Sequence, residues 1–83
     1  MALPQPVLDF LHDSAWRAGH ATPKESDDLF ELGVLDSFAL VDFLLVLEEH
    51  CGIKVPDSAV IPDNFRTIET IDRFARQRQG KVQ

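Results

Sequence analysis

The 83 residues, 45% hydrophobic and 27% charged, describe a single domain spanning residues 1–83, with a modest core that buries only about 60–65% of the unfolded surface and leaves little room for a closed cleft. A net charge of −6 argues against nucleic acid as a partner, because phosphate binding needs concentrated Lys and Arg. Cys51 is a lone cysteine, Met1-Ala-Leu-Pro lacks the basic and apolar parts of a signal peptide, and no segment is long enough for a bilayer span, so a cytoplasmic, non-membrane protein is expected.

Pro4 and Pro6 suit a helix start, and Val7, Leu8, Leu11 and Ala15 then recur at helical spacing until Gly19 ends the run. Phe10 and Trp16 fall off that stripe; each is a core flank or a contact surface, and core flank is the expectation. Residues 19–36 form a long connection, a length that in a small domain is functional or pinned by its own side chains. Leu29, Phe30, Leu32, Val34 and Leu35 are the expected pins, with Phe30 and Leu35 buried.

A second helix is predicted from Ser37 to His50, capped by Asp36 or Ser37 and stopped by Gly52. His50 falls in the last turn, where positive charge complements the helix dipole. The sequence "SFALVDFLLVLEEHCG" is apolar over more than one face. With Phe38, Leu40, Phe43, Leu44 and Leu47 turned inward, Val41 and Leu45 remain beside Asp42, Glu48 and Glu49 on an outer strip. The helix is then either nearly enclosed or a docking surface. Cys51, at its end, is expected to be buried packing.

After Val55-Pro56, "DSAVI" suffices for a one- or two-turn helix capped by Asp57 and closed by Pro62, with Phe65 anchoring the following turn. Thr67 caps a last helix with Ile68, Ile71, Phe74 and Ala75 inward and Arg66, Arg73, Arg76 and Arg78 outward. The reading is therefore all-α: a small four-helix bundle of three principal helices and a short third one, with a long loop between the first two. Charge is segregated along it. Eight carboxylates and no Lys or Arg lie between Glu25 and Glu49, while five basic residues face two acidic ones from Arg66 to Lys81. Such runs are commonly solvated faces, but an acidic middle also addresses basic partners.

Ser37 opens the most apolar stretch without visible catalytic machinery. It lacks a Gly-x-Ser-x-Gly elbow. His50 lies at the far end of the same helix, about 20 Å away at 1.5 Å per residue. One Cys and three scattered His have no metal-ligand spacing. A serine at a helix N-terminus does present its hydroxyl near free backbone N–H groups, a place that favours an attached phosphate. An ordinary N-cap is the plain alternative.

The run Asp28-x-Phe30-Glu31-x-Gly33-x-Leu35-Asp36-Ser37, followed by an apolar helix ending in Glu48-Glu49, resembles the acyl and peptidyl carrier protein family. The resemblance covers nearly the whole chain. It implies that a phosphopantetheinyl transferase, supplying its own base and Mg²⁺, attaches 4′-phosphopantetheine from coenzyme A covalently to Ser37, with Asp36 helping to orient the site. The serine is then a substrate and the protein is not an enzyme; no metal of its own is implied. Phe38 replaces the family's usual Leu, and Ala39 stands where fatty-acid carriers commonly have an acidic residue. Together with "IPDNFRTIETI", these departures resemble free-standing, monomeric carriers that hold aminoacyl, aryl or specialised acyl groups as thioesters.

The partners so implied are an adenylate-forming ligase and a downstream acyl-transferring or condensing enzyme. Their expected contacts are Val41, Asp42, Leu45, Glu48 and Glu49, with Ile61 on the short third helix; core burial is the rival reading for Leu45 and Ile61. A carrier for fatty-acid or polyketide synthesis and an unmodified helical interaction module are the alternatives.

Overall fold

A computed structural model describes residues 3–80; the start at Met1-Ala2 and Lys81 of the basic run lie outside the described residues. Helix α1 (Gln5–Arg17) is followed by a long loop, α2 (Ser37–Cys51), a 3₁₀ turn (Asp57–Ala59), the single-turn α3 (Pro62–Phe65) and α4 (Ile68–Gly80). This is the expected all-helical bundle.

Each helix boundary has a local cause. Pro4 is the N-cap of α1 and Pro6 lies in its first turn, where the missing proline N–H leaves no helical bond unmade. The helix closes in a Schellman motif: Gly19, at φ +83°, donates to the Trp16 carbonyl, and His20 donates to that of Ala15. Gly52, at φ +66°, ends α2 by donating to the Glu48 carbonyl. At α4, the Thr70 N–H donates to Thr67 Oγ1 (3.0 Å) and the Thr67 N–H donates to Thr70 Oγ1 (3.1 Å), a reciprocal cap.

The core is a continuous cluster in which no polar or charged residue is buried among the described residues. Val7, Leu11 and Ala15 of α1 meet Phe43, Leu47 and Cys51 of α2, with Ile68, Ile71, Phe74 and Ala75 of α4 completing it. Phe10, Phe43, Phe65 and Phe74 form a relay of tilted and edge-on rings, with centroids 5.6, 6.5 and 5.3 Å apart, that joins all four helices. Burial and the nearby Asp72 carboxylate push the Cys51 thiol above its ordinary pKa, in keeping with a packing role.

Several expectations are corrected. Phe38 is not core but 85% exposed, because the inward face of α2 runs along Phe43, Leu47 and Cys51, and residue 38 lies across the helix from that row. Trp16 is 79% exposed rather than a core flank, whereas Phe10 is a flank, packed against Phe43. Phe30 is half-buried against the core rather than enclosed, while Leu35 is fully buried. The short helix expected at "DSAVI" is split. Asp57 makes no side-chain cap bond, the 3₁₀ turn stops at Ala59, and Pro62 opens α3 instead of closing it. A proline at the first helical position is compatible with both roles, since it bars helix before it and permits helix after it. Ile61 is accordingly the residue before α3.

Candidate functional site

The loop before Ser37 is built from its own sequence. Asp28 Oδ1 accepts from the Phe30 and Glu31 N–H groups (3.0 and 3.1 Å), shaping a tight turn, and its second oxygen faces Arg66 at 3.4 Å. Leu29, fully buried, is the hub. Its N–H donates to the Arg66 carbonyl (2.7 Å), and its own carbonyl accepts from Val34 and Leu35 (2.9 and 3.1 Å). Gly33 adopts φ +77°, a left-handed conformation that side-chain-bearing residues rarely take, and so turns the chain back toward α2. Val34 and Leu35 are then buried immediately before Asp36. The loop fixes both the position and the direction of the first turn of α2.

Asp36, not Ser37, caps that turn. Its backbone is extended, its Oδ1 accepts from Phe38 (3.0 Å) and Ala39 (2.8 Å), and its carbonyl accepts from Leu40 (2.8 Å). The aspartate thus satisfies the orphan N–H groups that a serine cap would otherwise take. Ser37 is exposed, and its hydroxyl makes no hydrogen bond among the described residues. The end of α1, the loop and α2 also enclose an open groove of about 270 Å³, lined by Ser14, Arg17, Ala18, Gly33, Asp36 and Ala39 among others, which Ser37 does not line. No histidine lines this groove. Among the described residues, no cluster of three or more His, Cys, Asp or Glu is arranged to hold a metal ion. The arrangement offers a free hydroxyl on a rigid mount, with open space for a covalent substituent. Activation of that hydroxyl would have to come from another molecule.

From Ser37 an exposed strip runs down α2. Ser37, Val41 and Leu45 follow at intervals of four, flanked by Phe38, Asp42 and Glu49. Val41 and Leu45 are 60% and 62% exposed, so the core-burial reading of Leu45 is wrong. Ile61, 46% exposed, is likewise a surface residue. Glu48 differs from its neighbours: its carboxylate accepts from the Val55 N–H (2.8 Å) and ties the chain after Gly52 back onto α2. Glu49 faces His50 at 3.5 Å. At its lower end the strip opens into a groove of about 430 Å³ bordered by Leu45, Val46, Glu49, Ile53 and Lys54. Phe38 is the residue of this surface that the sequence reading placed elsewhere. Its spacing of three, four and seven from Val41, Asp42 and Leu45 is the signal that assigns it here.

The family described as "Phosphopantetheine attachment site" matches residues 18–75, a stretch that begins in the α1–α2 loop and runs into α4. The chain is also similar to proteins named D-alanyl carrier protein from Streptococcus pyogenes and Streptococcus mutans, 42% identical over 45 residues. Those residues are 54% of this chain and 57% of each relative, so the match spans just over half the length of these curated relatives. No solved structure matches the chain. Among the described residues, no helix is long and apolar enough to cross a membrane.

Proposed function

The chain belongs to the phosphopantetheine attachment-site family, whose prosthetic group is covalent 4′-phosphopantetheine, and from that premise we propose that it is a discrete, single-domain aminoacyl carrier with Ser37 as its attachment point. The observation that carries this reading is the Ser37 hydroxyl, exposed and without a hydrogen-bond partner among the described residues, at the head of α2 while Asp36 does the capping. The protein is a carrier and not a catalyst. In the hands of a phosphopantetheinyl transferase its hydroxyl gives up its proton to the transferase's base and attacks the pantetheine-side phosphorus of the coenzyme A pyrophosphate. The serine phosphodiester forms as the pyrophosphate bond breaks and adenosine 3′,5′-bisphosphate leaves. When bound, the group supplies a terminal thiol that holds cargo as a thioester. The role of this chain is to keep the attachment point rigid and accessible.

The partner surface is proposed to be Phe38, Val41, Asp42, Leu45 and Glu49 of α2, with Ile61 beside α3. An exposed apolar row rimmed by carboxylates suits a mixed footprint, in which apolar contacts give affinity and charges steer approach. Glu48 contributes through its hold on Val55 rather than as a free charge. The adenylate-forming ligase that loads the cargo is the first partner expected there, in the cytoplasm. Because the relatives are D-alanyl carrier proteins, D-alanine is the first cargo to test.

Incubation with a broad-specificity phosphopantetheinyl transferase and coenzyme A should add the mass of one arm to the parent protein and none to Ser37→Ala. Loading assays with purified ligases and D-alanine, other amino acids, aryl acids and fatty acids then define the cargo. Preferential fatty acyl loading would favour a fatty-acid or polyketide carrier. Absence of any mass gain would leave an unmodified interaction module.

A further inference from the structure

Arg66 closes the short α3 and stands one residue before the Thr67 cap of α4, and three of its atoms reach other parts of the chain. We infer that Arg66 is a positioning residue for Ser37, tying the attachment loop to α3 so that the serine meets the transferase in one geometry. The inference rests on the reading of Ser37 as the attachment point.

The tie has a backbone part and a side-chain part. The Arg66 carbonyl accepts from the Leu29 N–H (2.7 Å), and close by the Glu69 N–H donates to the Glu25 carbonyl (3.2 Å). The guanidinium spans two further elements. Its Nη1 faces Asp28 Oδ2 of the loop at 3.4 Å, and its Nη2 donates to Asp63 Oδ1 of α3 at 2.9 Å. Through its other oxygen Asp28 shapes the turn at Phe30 and Glu31. The Leu29 carbonyl holds Val34 and Leu35, immediately before the Asp36 cap. Only a short chain of hydrogen bonds, running through one buried leucine, therefore separates Arg66 from the first turn of α2.

Charge and anchorage single out this residue. The segment from Glu25 to Glu49 holds eight carboxylates and no Lys or Arg, so a cation for the loop has to come from elsewhere in the chain. Among the described residues, Arg66 is the one Lys or Arg ion-paired to that segment. Its mount is firm: Phe65, before it, is fully buried, and Thr67, after it, is locked in the reciprocal cap with Thr70. The Asp28 side chain is only 22% exposed, so this side of the fork is partly shielded from water. Single exposed pairs are weak ties, whereas a planar fork joining several charges adds geometry to attraction. Lysine, with one ammonium centre, cannot reproduce a fork between Asp28 and Asp63. Loss of the tie should therefore appear in rate before it appears in fold, because small displacements of a reacting group lower rates steeply.

The test measures kcat and KM of arm attachment by intact mass, with a broad-specificity transferase, saturating coenzyme A and varied carrier. Amide ¹⁵N shifts and thermal circular dichroism of the unmodified variants accompany it. Arg66→Gln should lower kcat several-fold at a temperature where it is fully folded, leave KM near the parent value, and shift the amides of Leu29, Glu31, Val34, Leu35 and Phe38. Arg66→Lys should restore part of kcat. Asp63→Asn, at an exposed carboxylate far from the loop in sequence, should lower kcat and shift the same amides to a smaller extent. In the Arg66→Gln background it should add nothing, since both changes cut one tie. Parent kcat or unmoved loop amides in Arg66→Gln would overturn the inference, as would additive effects in the double variant. A change in KM alone would overturn it too, because that marks direct contact with the transferase. If Arg66→Gln does not fold, Asp63→Asn decides: parent kcat and parent loop amides there would overturn the tie. No mass gain in the parent protein would overturn the reading of Ser37 and the role of Arg66 with it, an outcome distinct from all of these.

Discussion

Replacing Asp36 by alanine removes one carboxylate oxygen that accepts from two N–H groups, Phe38 at 3.0 Å and Ala39 at 2.8 Å. Both donors lie in the exposed first turn, so water recovers part of what is lost. The expected destabilisation is therefore about 1 kcal/mol, within the roughly 0.5–2 kcal/mol measured for lost caps. In a domain of this size, about 1 kcal/mol corresponds to a fall in Tm of roughly 4–8 °C. Ser37→Ala removes a hydroxyl without a partner among the described residues, and its effect should stay within about 0.5 kcal/mol, as for other surface changes. Asp36→Asn keeps the cap acceptor, since Asn and Asp rank together at this position, and gives up only the charge–dipole contribution, about 0.3–1 kcal/mol. Thermal circular dichroism of the three apo variants, paired with modification rates by intact mass, separates the roles. Asp36→Ala should melt lowest, Ser37→Ala should melt with the parent but accept no arm, and Asp36→Asn should isolate what the charge contributes to modification. A Ser37→Ala variant that melts as low as Asp36→Ala would refute the assignment of the cap and the claim that the serine is structurally free.

Phe43→Ala, at the centre of the ring relay, should cost about 3–5 kcal/mol in chemical denaturation. Phe30→Ala, half-buried at the core edge, should cost less than that while still slowing modification of Ser37, as read by intact mass. Val41→Asp or Leu45→Asp should lower steady-state ligase loading more than Asp42→Asn with circular dichroism unchanged; a larger loss for Asp42→Asn would mean that charge dominates the footprint. Cys51 should resist a thiol-alkylating reagent in the native protein and react on unfolding, whereas the arm thiol of the modified protein should react at once, as mass spectrometry will show. Because burial and Asp72 raise the folded-state thiol pKa, the folded form holds its proton more tightly than the unfolded chain. That contribution to stability is complete at neutral pH and is lost as pH rises through the folded-state pKa, which a denaturation series at increasing pH would detect.

The helix boundaries were legible because their causes are local. Pro4 and Pro6, Gly19, Asp36, Gly52 and Thr67 each act on a backbone within a few residues, and the stripe Val7–Leu11–Ala15 names the inner face of an amphipathic helix without knowledge of its neighbours. The motif ending at Asp36-Ser37 was legible for the same reason, since Asp28, Leu29 and Gly33 shape most of their own loop. Helix α2 is different. It is apolar on two faces, so periodicity alone cannot say which is inward, and only packing against α1 and α4 selected Phe43, Leu47 and Cys51. That choice turned Phe38 outward beside Val41 and Leu45. The segment from Asp57 to Phe65 escaped for a related reason: Pro62 both ends one turn and begins another, and the Asn64 amide donating to the Ala59 carbonyl (2.7 Å) helps hold the join. The tie from Glu48 to Val55, the bond from Leu29 to Arg66 and the groove beside Arg17 join parts of the chain whose proximity no local propensity encodes. Sequence determined where the three principal helices begin and end and which serine heads α2; tertiary packing decided which apolar face went inside, and with it the exposed strip that continues from that serine.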